Sequence, residues 1–209
     1  MSAREIILDR IRAANRDAAA VIGSAPGRVE TPARDRADII ADFTAKLRDY
    51  GVVVRSVPER DCANAVADAL AGHGIADLVI PADLPENWLP PGVAAIRDEA
   101  LDYRRLDRAG GVLTGCALAI AETGTIILDS GPRQGRRALT LVPDYHLCIV
   151  GGDQLVGSVP EAISRLESSG AARRPLTFIS GPSATADIEL DRVVGVHGPR
   201  TLEVIILDR

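Results

Sequence analysis

The sequence predicts an α/β fold built on a mostly parallel sheet. From Val52 onward, strand patterns alternate with helical ones, which is the signature of strands joined by covering helices. Apolar runs at Leu147–Val150, Leu176–Ile179 and Val204–Leu207 read as core strands. With 209 residues, 46% of them hydrophobic, the chain can bury a full core as one domain with a helical extension.

Residues 2–22 place Ile6, Ile7, Ile11 and Ala14 among arginines and aspartates, the pattern of an amphipathic helix. Gly23–Pro32 is rich in Gly, Pro and Ser and reads as a linker. The expected organisation is therefore an N-terminal helix and linker over 1–33 and a main domain over 34–209. Within the latter, a helix is predicted from Arg34 to Tyr50, stopping before Gly51. Val52–Val57 is a β-branched strand, and Asp61–Ala71 is a helix with an acidic start. Short strands follow at Leu78–Ile80 and Val93–Ile96, separated by a proline-bounded loop that carries Trp88. Residues 112–120 suit either strand or helix, because small apolar residues fit both. Thr125–Leu128 is a strand, and residues 130–137 form a flexible basic loop. Pro160–Leu166 opens a helix with Pro and Glu161 in its first turn, where both are favoured.

The scarce residue types exclude several chemistries. A net charge of -5 gives no general attraction to phosphate backbones, so neither nucleic acid nor an anionic membrane surface is expected as partner. No apolar run is long enough to span a bilayer and none follows a basic start, so a cytoplasmic location is expected. Lys46, the single lysine, lies in an amphipathic helical pattern, far from a phosphate loop or a Schiff-base setting. Gly-x-Gly-x-x-Gly does not occur. Cys62, Cys116 and Cys148 are scattered and too few for an iron–sulfur cluster or a structural zinc, which need four clustered ligands. They read as inert core thiols. His73, His146 and His197 lack close metal-ligand spacing, and His73 reads as a helix C-cap turn. No metal is expected.

Four polar segments interrupt this apolar pattern. In Glu122-Thr123-Gly124-Thr125 a carboxylate, two hydroxyls and a glycine separate two apolar runs. Burying that carboxylate unpaired would cost several kcal/mol, so Glu122 belongs at a strand end or cleft mouth, or beside Arg136 or Arg137. Free N–H groups there, with Thr123 and Thr125, suit an anion; a polar hairpin between buried strands explains the same residues. The basic loop with Arg133, Arg136 and Arg137 could clamp an anion or stand solvated at the surface. Ser180, Gly181, Ser183 and Thr185 follow a predicted strand, where ligands gather in open α/β sheets, though turn capping accounts for them equally. His197, between glycine and proline in Gly195-Val196-His197-Gly198-Pro199-Arg200, is either a proton shuttle or a hydrogen-bonded turn residue. No Gly-x-Ser-x-Gly elbow supports a Ser183–His197–Asp187 triad.

The first, third and fourth of these segments, with Leu141-Val142-Pro143-Asp144-Tyr145-His146 and the continuation of the third through Asp187-Ile188-Glu189, together resemble the lactate utilization protein C family, over roughly residues 35–209. The resemblance implies an LUD domain: a three-layer α/β sandwich with a mostly parallel sheet, similar to ribose-5-phosphate isomerase, glucosamine-6-phosphate deaminase and the coenzyme A transferases. The N-terminal helical extension fits it. It further implies a three-protein system oxidising L-lactate to pyruvate, in which two cysteine-rich partners carry the iron–sulfur clusters and this chain binds none. No catalytic residues transfer with the resemblance.

Two functional readings follow. In the first, the chain is a non-redox subunit of lactate oxidation that binds a small anion at a cleft formed by Thr123, Gly124, Thr125, Arg136, Ser180, Gly181, Ser183, Thr185 and His197. In the second, it is a stand-alone enzyme acting on a phosphorylated or coenzyme A-linked molecule, with Glu122 as base or nucleophile.

Overall fold

A computed structural model describes residues 2–18, 34–186, 192–195 and 197–208. Residues 1–30 and 31–209 form two compact units. The first contains helix α1 (Ala3–Ala18). Its start is fixed by a reciprocal cap: Ser2 Oγ accepts from Glu5 N at 3.3 Å while Glu5 Oε2 accepts from Ser2 N at 2.6 Å. Residues 19–22 and the expected linker at Gly23–Pro32 lie outside the described residues.

The second unit is organised by six parallel strands. In chain order these are β1 (Val53–Pro58), β2 (Asp77–Ile80), β3 (Ala94–Arg97), β4 (Val112–Thr114), β7 (Tyr145–Gly151) and β12 (Thr201–Asp208), and in space they run β1-β12-β7-β4-β2-β3. All five pairings are parallel, so the expected sheet is present. The ambiguous stretch 112–120 is two strands. Past β4 the chain turns at Gly115 and enters a second sheet as β5 (Leu118–Ile120). That sheet, in the order β8-β5-β6-β9, also holds β6 (Thr125–Leu128), β8 (Leu155–Val156) and β9 (Thr177–Ile179). A small hairpin pairs β10 (Ala184–Ala186) with β11 (Arg192–Val194).

Side-chain alternation assigns each face of the main sheet its cover. Leu147, Ile149, Ile205 and Leu207 point to helix α3 (Cys62–His73) and meet Val66, Ala69 and Leu70. Cys148, Val150, Val204 and Ile206 point the other way, to Phe43 and Leu47 of helix α2 (Arg36–Asp49) and to Ala119, Ala121, Ile126 and Leu128 of the second sheet. The second sheet buries its far face, Leu118, Ile120 and Ile127, under Ala162 and Leu166 of helix α5 (Val159–Ser168). Helix α4 (Tyr103–Asp107) contributes Leu106 to a smaller cluster over Val79 and Val112. Both β7 and most of β12 are buried on two sides, which is why they read as continuous apolar runs.

The helix ends follow local chemistry. Asp35 caps α2 through Ala37 N, and Ser158 caps α5 through Glu161 N, with Pro160 in the first turn. Gly74 closes α3 at φ 64°. One expected core strand is corrected: on β9, Phe178 is 54% exposed and Thr177 and Ile179 are half-buried. β9 is an edge strand of the second sheet, and its apolar side chains have cover on one side only.

Glu203 is the charged residue that this packing must accommodate, at 1% exposure in the middle of β12. It forms an ion pair with Arg55 of β1, accepts a 3.0 Å hydrogen bond from Tyr145 Oη of β7, and lies 3.3 Å from His73 Nε2 at the end of α3. His73 is therefore more than the cap residue expected: it joins this cluster and its ring packs 4.8 Å from that of Tyr145. Burial pushes the Tyr145 hydroxyl well above its ordinary range, keeping it a donor to the carboxylate.

Gly124 shows the tightest constraint on the second sheet. At φ 62°, a Cβ there would sit 2.8 Å from Lys46 Cβ and 3.3 Å from Leu47 N. The glycine is required by the approach of α2. Replacing Gly124 with alanine should lower the unfolding free energy by at least about 1 kcal/mol, measured by urea denaturation.

Candidate functional site

A hollow of about 380 Å³ opens where the amino ends of β7 and β12 meet the loop leaving β9. Its wall includes Ser180, Gly181, Ser183 and Ala184 on one side and His197, Gly198 and Pro199 on another; Arg137, Thr140 and His146 complete it. Three of the four polar segments thus meet here, and the backbone ties two of them together. Ser183 N donates to Pro199 O at 2.9 Å, Gly195 N to Ser183 O at 2.9 Å, and His197 N to Ser183 Oγ at 3.2 Å. Gly181 packs against Tyr50, where a Cβ would come within 2.9 Å of Tyr50 Cβ. Thr185 lies on β10 and Val196 outside the described residues, as do Asp187, Ile188 and Glu189.

Arg137 gives the hollow its charge. It opens a short 3-10 turn, Arg137–Thr140, and its Nη1 donates to Thr140 Oγ1 at 3.0 Å. The residue is exposed, yet the part of its head that turns into the hollow is desolvated enough to pull its pKa below the usual guanidinium range. No carboxylate pairs with it among the described residues. A guanidinium without a counter-charge favours an incoming anion, and its planar donors suit a carboxylate or phosphate.

His146 lies at the inner end of the hollow, 1% exposed, with Nε2 2.8 Å from Thr114 Oγ1. The Thr114 hydroxyl can donate or accept, so it holds the ring in place in either tautomer. Behind it, on the same face of the sheet, lie Cys148 and Cys116. The sequence offers Arg137 as one of three arginines of an anion-clamping loop but carries only Arg136 into the cleft, and it quotes His146 only within a motif. The signal available was their spacing: a 3-10 turn and a proline separate Arg137 from the start of β7, which brings both side chains to one strand end.

The remaining predicted residues lie elsewhere. Arg136 faces a different hollow, of about 600 Å³, at the carboxyl ends of β2 and β3. It forms a two-point pair with Asp98, Nε–Oδ2 2.7 Å and Nη2–Oδ1 3.0 Å, and also donates to Leu101 O. One residue along the chain thus separates a neutralised arginine from an uncompensated one. Glu122 is exposed and borders a third hollow with Arg34, Lys46 and Ser158. It contacts neither Arg136 nor Arg137; its Oε2 accepts from Val159 N at 3.2 Å, at the amino end of α5. The N–H groups of its turn are engaged, Glu122 N with Gly157 O and Gly124 N with Ala121 O. Thr123 and Thr125 form a hydroxyl chain, 2.7 Å to each other and 2.8 Å from Thr125 to Ser180 Oγ, which bonds the β5–β6 turn to the wall of the charged hollow. Among the described residues, no three histidine, cysteine, aspartate or glutamate side chains converge to hold a metal ion. No helix among them is long and apolar enough to cross a membrane.

The Asp98–Arg136 pair has a pH signature. The bond to Arg136 chiefly holds the Asp98 carboxyl below its ordinary range. A depressed folded-state pKa stabilises above the unfolded value, and that stabilisation disappears as pH falls through the folded one. Asp98→Asn should therefore be less stable than the parent at neutral pH, with the gap closing below about pH 4 in acid denaturation curves.

Comparison with known proteins adds the chain's relatives. The LUD domain family model matches residues 40–207. The chain is 45% identical to lactate utilization protein C of Deinococcus radiodurans, over 99% of this chain and 97% of that protein. It is 30% identical to lactate utilization protein C of Geobacillus kaustophilus, over 71% of this chain and 70% of that protein. The crystal structure of a DUF162 family protein from Deinococcus radiodurans superposes with a TM-score of 0.73 at 42% identity, covering 84% of this chain and all of that one.

Proposed function

Given that the chain belongs to the LUD domain family, we propose that it serves L-lactate utilization as a non-redox component that binds a small anionic metabolite in the Arg137 hollow. The observation that carries this reading is the Arg137 guanidinium, which borders the hollow with no carboxylate partner among the described residues. Thr140, Ser180 and Ser183 supply hydroxyls around it, and His146 and His197 supply imidazoles. Such a lining suits a compact carboxylate better than a long cofactor, because the volume is that of a small-molecule pocket at the lower end of its usual range.

The electron-carrying steps belong, on this reading, to two cysteine-rich iron–sulfur partners. Support comes from the thiols of this chain. Its cysteines number three, one short of the usual cluster set. Cys62 packs on the α3 face of the main sheet, while Cys116 and Cys148 pack on the opposite one. The relatives carry lactate utilization in their names, and the proposal extends that role to this chain. Glu122, the base or nucleophile of the stand-alone enzyme reading, has its carboxylate engaged at the start of α5.

Arg137→Met tests the site and the role together. Removing an uncompensated, partly desolvated charge should leave stability unchanged or raise it by up to about 1 kcal/mol. In thermal-shift measurements with pyruvate and L-lactate, the parent should be stabilised by about 2.7 kcal/mol at 100 times Kd, and the variant should show no shift. A strain deleted for this gene should fail to grow on L-lactate and grow normally on glucose, with the variant unable to restore lactate growth. Normal lactate growth of the deletion strain, or an unchanged shift in Arg137→Met, would count against the reading.

A further inference from the structure

The Arg137 hollow is larger than a three-carbon acid requires. Pyruvate and L-lactate each have six non-hydrogen atoms. A water molecule takes roughly 30 Å³ in the liquid and a bonded atom takes less, so either acid fills at most about 180 Å³. The hollow offers about 380 Å³. Its polar wall, Arg137 with the neighbouring hydroxyls and imidazoles, accounts for a carboxylate. The other part of the wall is apolar and includes Tyr50, Ile179, Pro182, Pro199 and Leu202.

This apolar wall continues the core. Leu202 is 3% exposed and belongs, with Phe43 and Leu47 of α2, to the cluster against which Ile179 packs. Tyr50 closes α2 at its carboxyl end and stays 42% exposed. Its place beside the hollow is fixed by Gly181, where a Cβ would come 2.9 Å from Tyr50 Cβ and 3.4 Å from its Cγ. The loop that supplies Ser180 and Ser183 therefore also lies against this residue. Phe178 borders the hollow too, but its register opposite Ile127 puts its side chain on the α5 face of the second sheet. Of the two rings, Tyr50 is the one a ligand meets.

We propose, on the anion-binding reading above, that the hollow selects α-hydroxy and α-oxo acids with an apolar side chain several carbons long. The carboxylate lies at Arg137 and the side chain against Tyr50, Ile179 and Leu202. Burial of apolar surface drives the selection: each methylene moved from water onto such a wall strengthens binding by up to about fourfold. An isobutyl group has three more carbons than the methyl of pyruvate. That sets a ceiling of roughly sixtyfold, which the open mouth of the hollow lowers. A methyl side chain leaves Tyr50 facing water. A second charge on the side chain gains nothing, because the apolar wall offers it no partner and its desolvation opposes binding.

Calorimetric titration of the full chain with pyruvate, α-ketoisocaproate, phenylpyruvate and α-ketoglutarate tests the selection. α-Ketoisocaproate and phenylpyruvate should bind at least about tenfold tighter than pyruvate, and α-ketoglutarate no tighter than pyruvate. Nuclear Overhauser contacts should join the isobutyl methyls to the Tyr50 ring. In Tyr50→Ala the gain of the larger acids should shrink to less than about threefold, with pyruvate affinity unchanged. Pyruvate binding that Arg137→Met abolishes, with the larger acids no tighter, would overturn the selection and leave the anion reading standing. So would tighter binding without contact to Tyr50, or α-ketoglutarate held as tightly as α-ketoisocaproate. Failure of all four acids to bind, or larger acids held undiminished by Arg137→Met, would remove both.

Discussion

β12, the highest-numbered of the described strands, lies between β1 and β7, and the whole main sheet depends on that insertion. Until residues 201–208 dock, β1 has no partner within the sheet and β7 is paired on one side only. The buried Glu203 reinforces the arrangement: its carboxylate is satisfied only when Arg55, Tyr145 and His73 are all in place. A buried carboxylate with a missing partner costs several kcal/mol. Incorrect docking of β12 is thereby penalised as well as unrewarded. A contact between residues so far apart in sequence also makes the topology one of high contact order.

The charged hollow follows from the same insertion. His146 and Leu202 are the second residues of β7 and β12, and both border it. The turn that carries His197 feeds directly into β12, while the loop of Ser180 and Ser183 arrives from the second sheet. The hydroxyl chain Thr123–Thr125–Ser180 joins that loop to the β5–β6 turn. The hollow is thus held by two sheets at once and lies at the amino ends of the main-sheet strands. Open α/β sheets usually bind ligands at the carboxyl ends, where this chain instead places the neutralised Arg136–Asp98 pair.

Arg136 and Arg137 illustrate how little separates a structural charge from a functional one. Both follow the same glycine, and in sequence they are interchangeable. The backbone turns into a 3-10 helix between them, so one guanidinium meets Asp98 and the other enters the hollow. An arginine in a fixed two-point pair is already neutralised, whereas an exposed one with a single hydroxyl partner has free donors. Burial and partner identity, which sequence does not display, decide between the two.

By itself, the sequence determined the alternation of helices and strands, the parallel character of the main sheet, the stop of α2 before Gly51 and the opening of α5 at Pro160, because hydrophobic runs and helix-end residues act locally. It also determined that three scattered cysteines cannot hold a usual cluster, and that the polar segments resemble those of a known family. Tertiary structure alone decided that residues 112–120 divide between two sheets, since small apolar residues fit either neighbour. It also decided that Phe178 lies on an edge, that Gly124 yields space to α2 rather than to a ligand, and that Glu122 caps a helix. The same is true of Arg137 and His146, which border one hollow. Each of these depends on which segments meet across the sheet, and that is set by the packing of the whole chain.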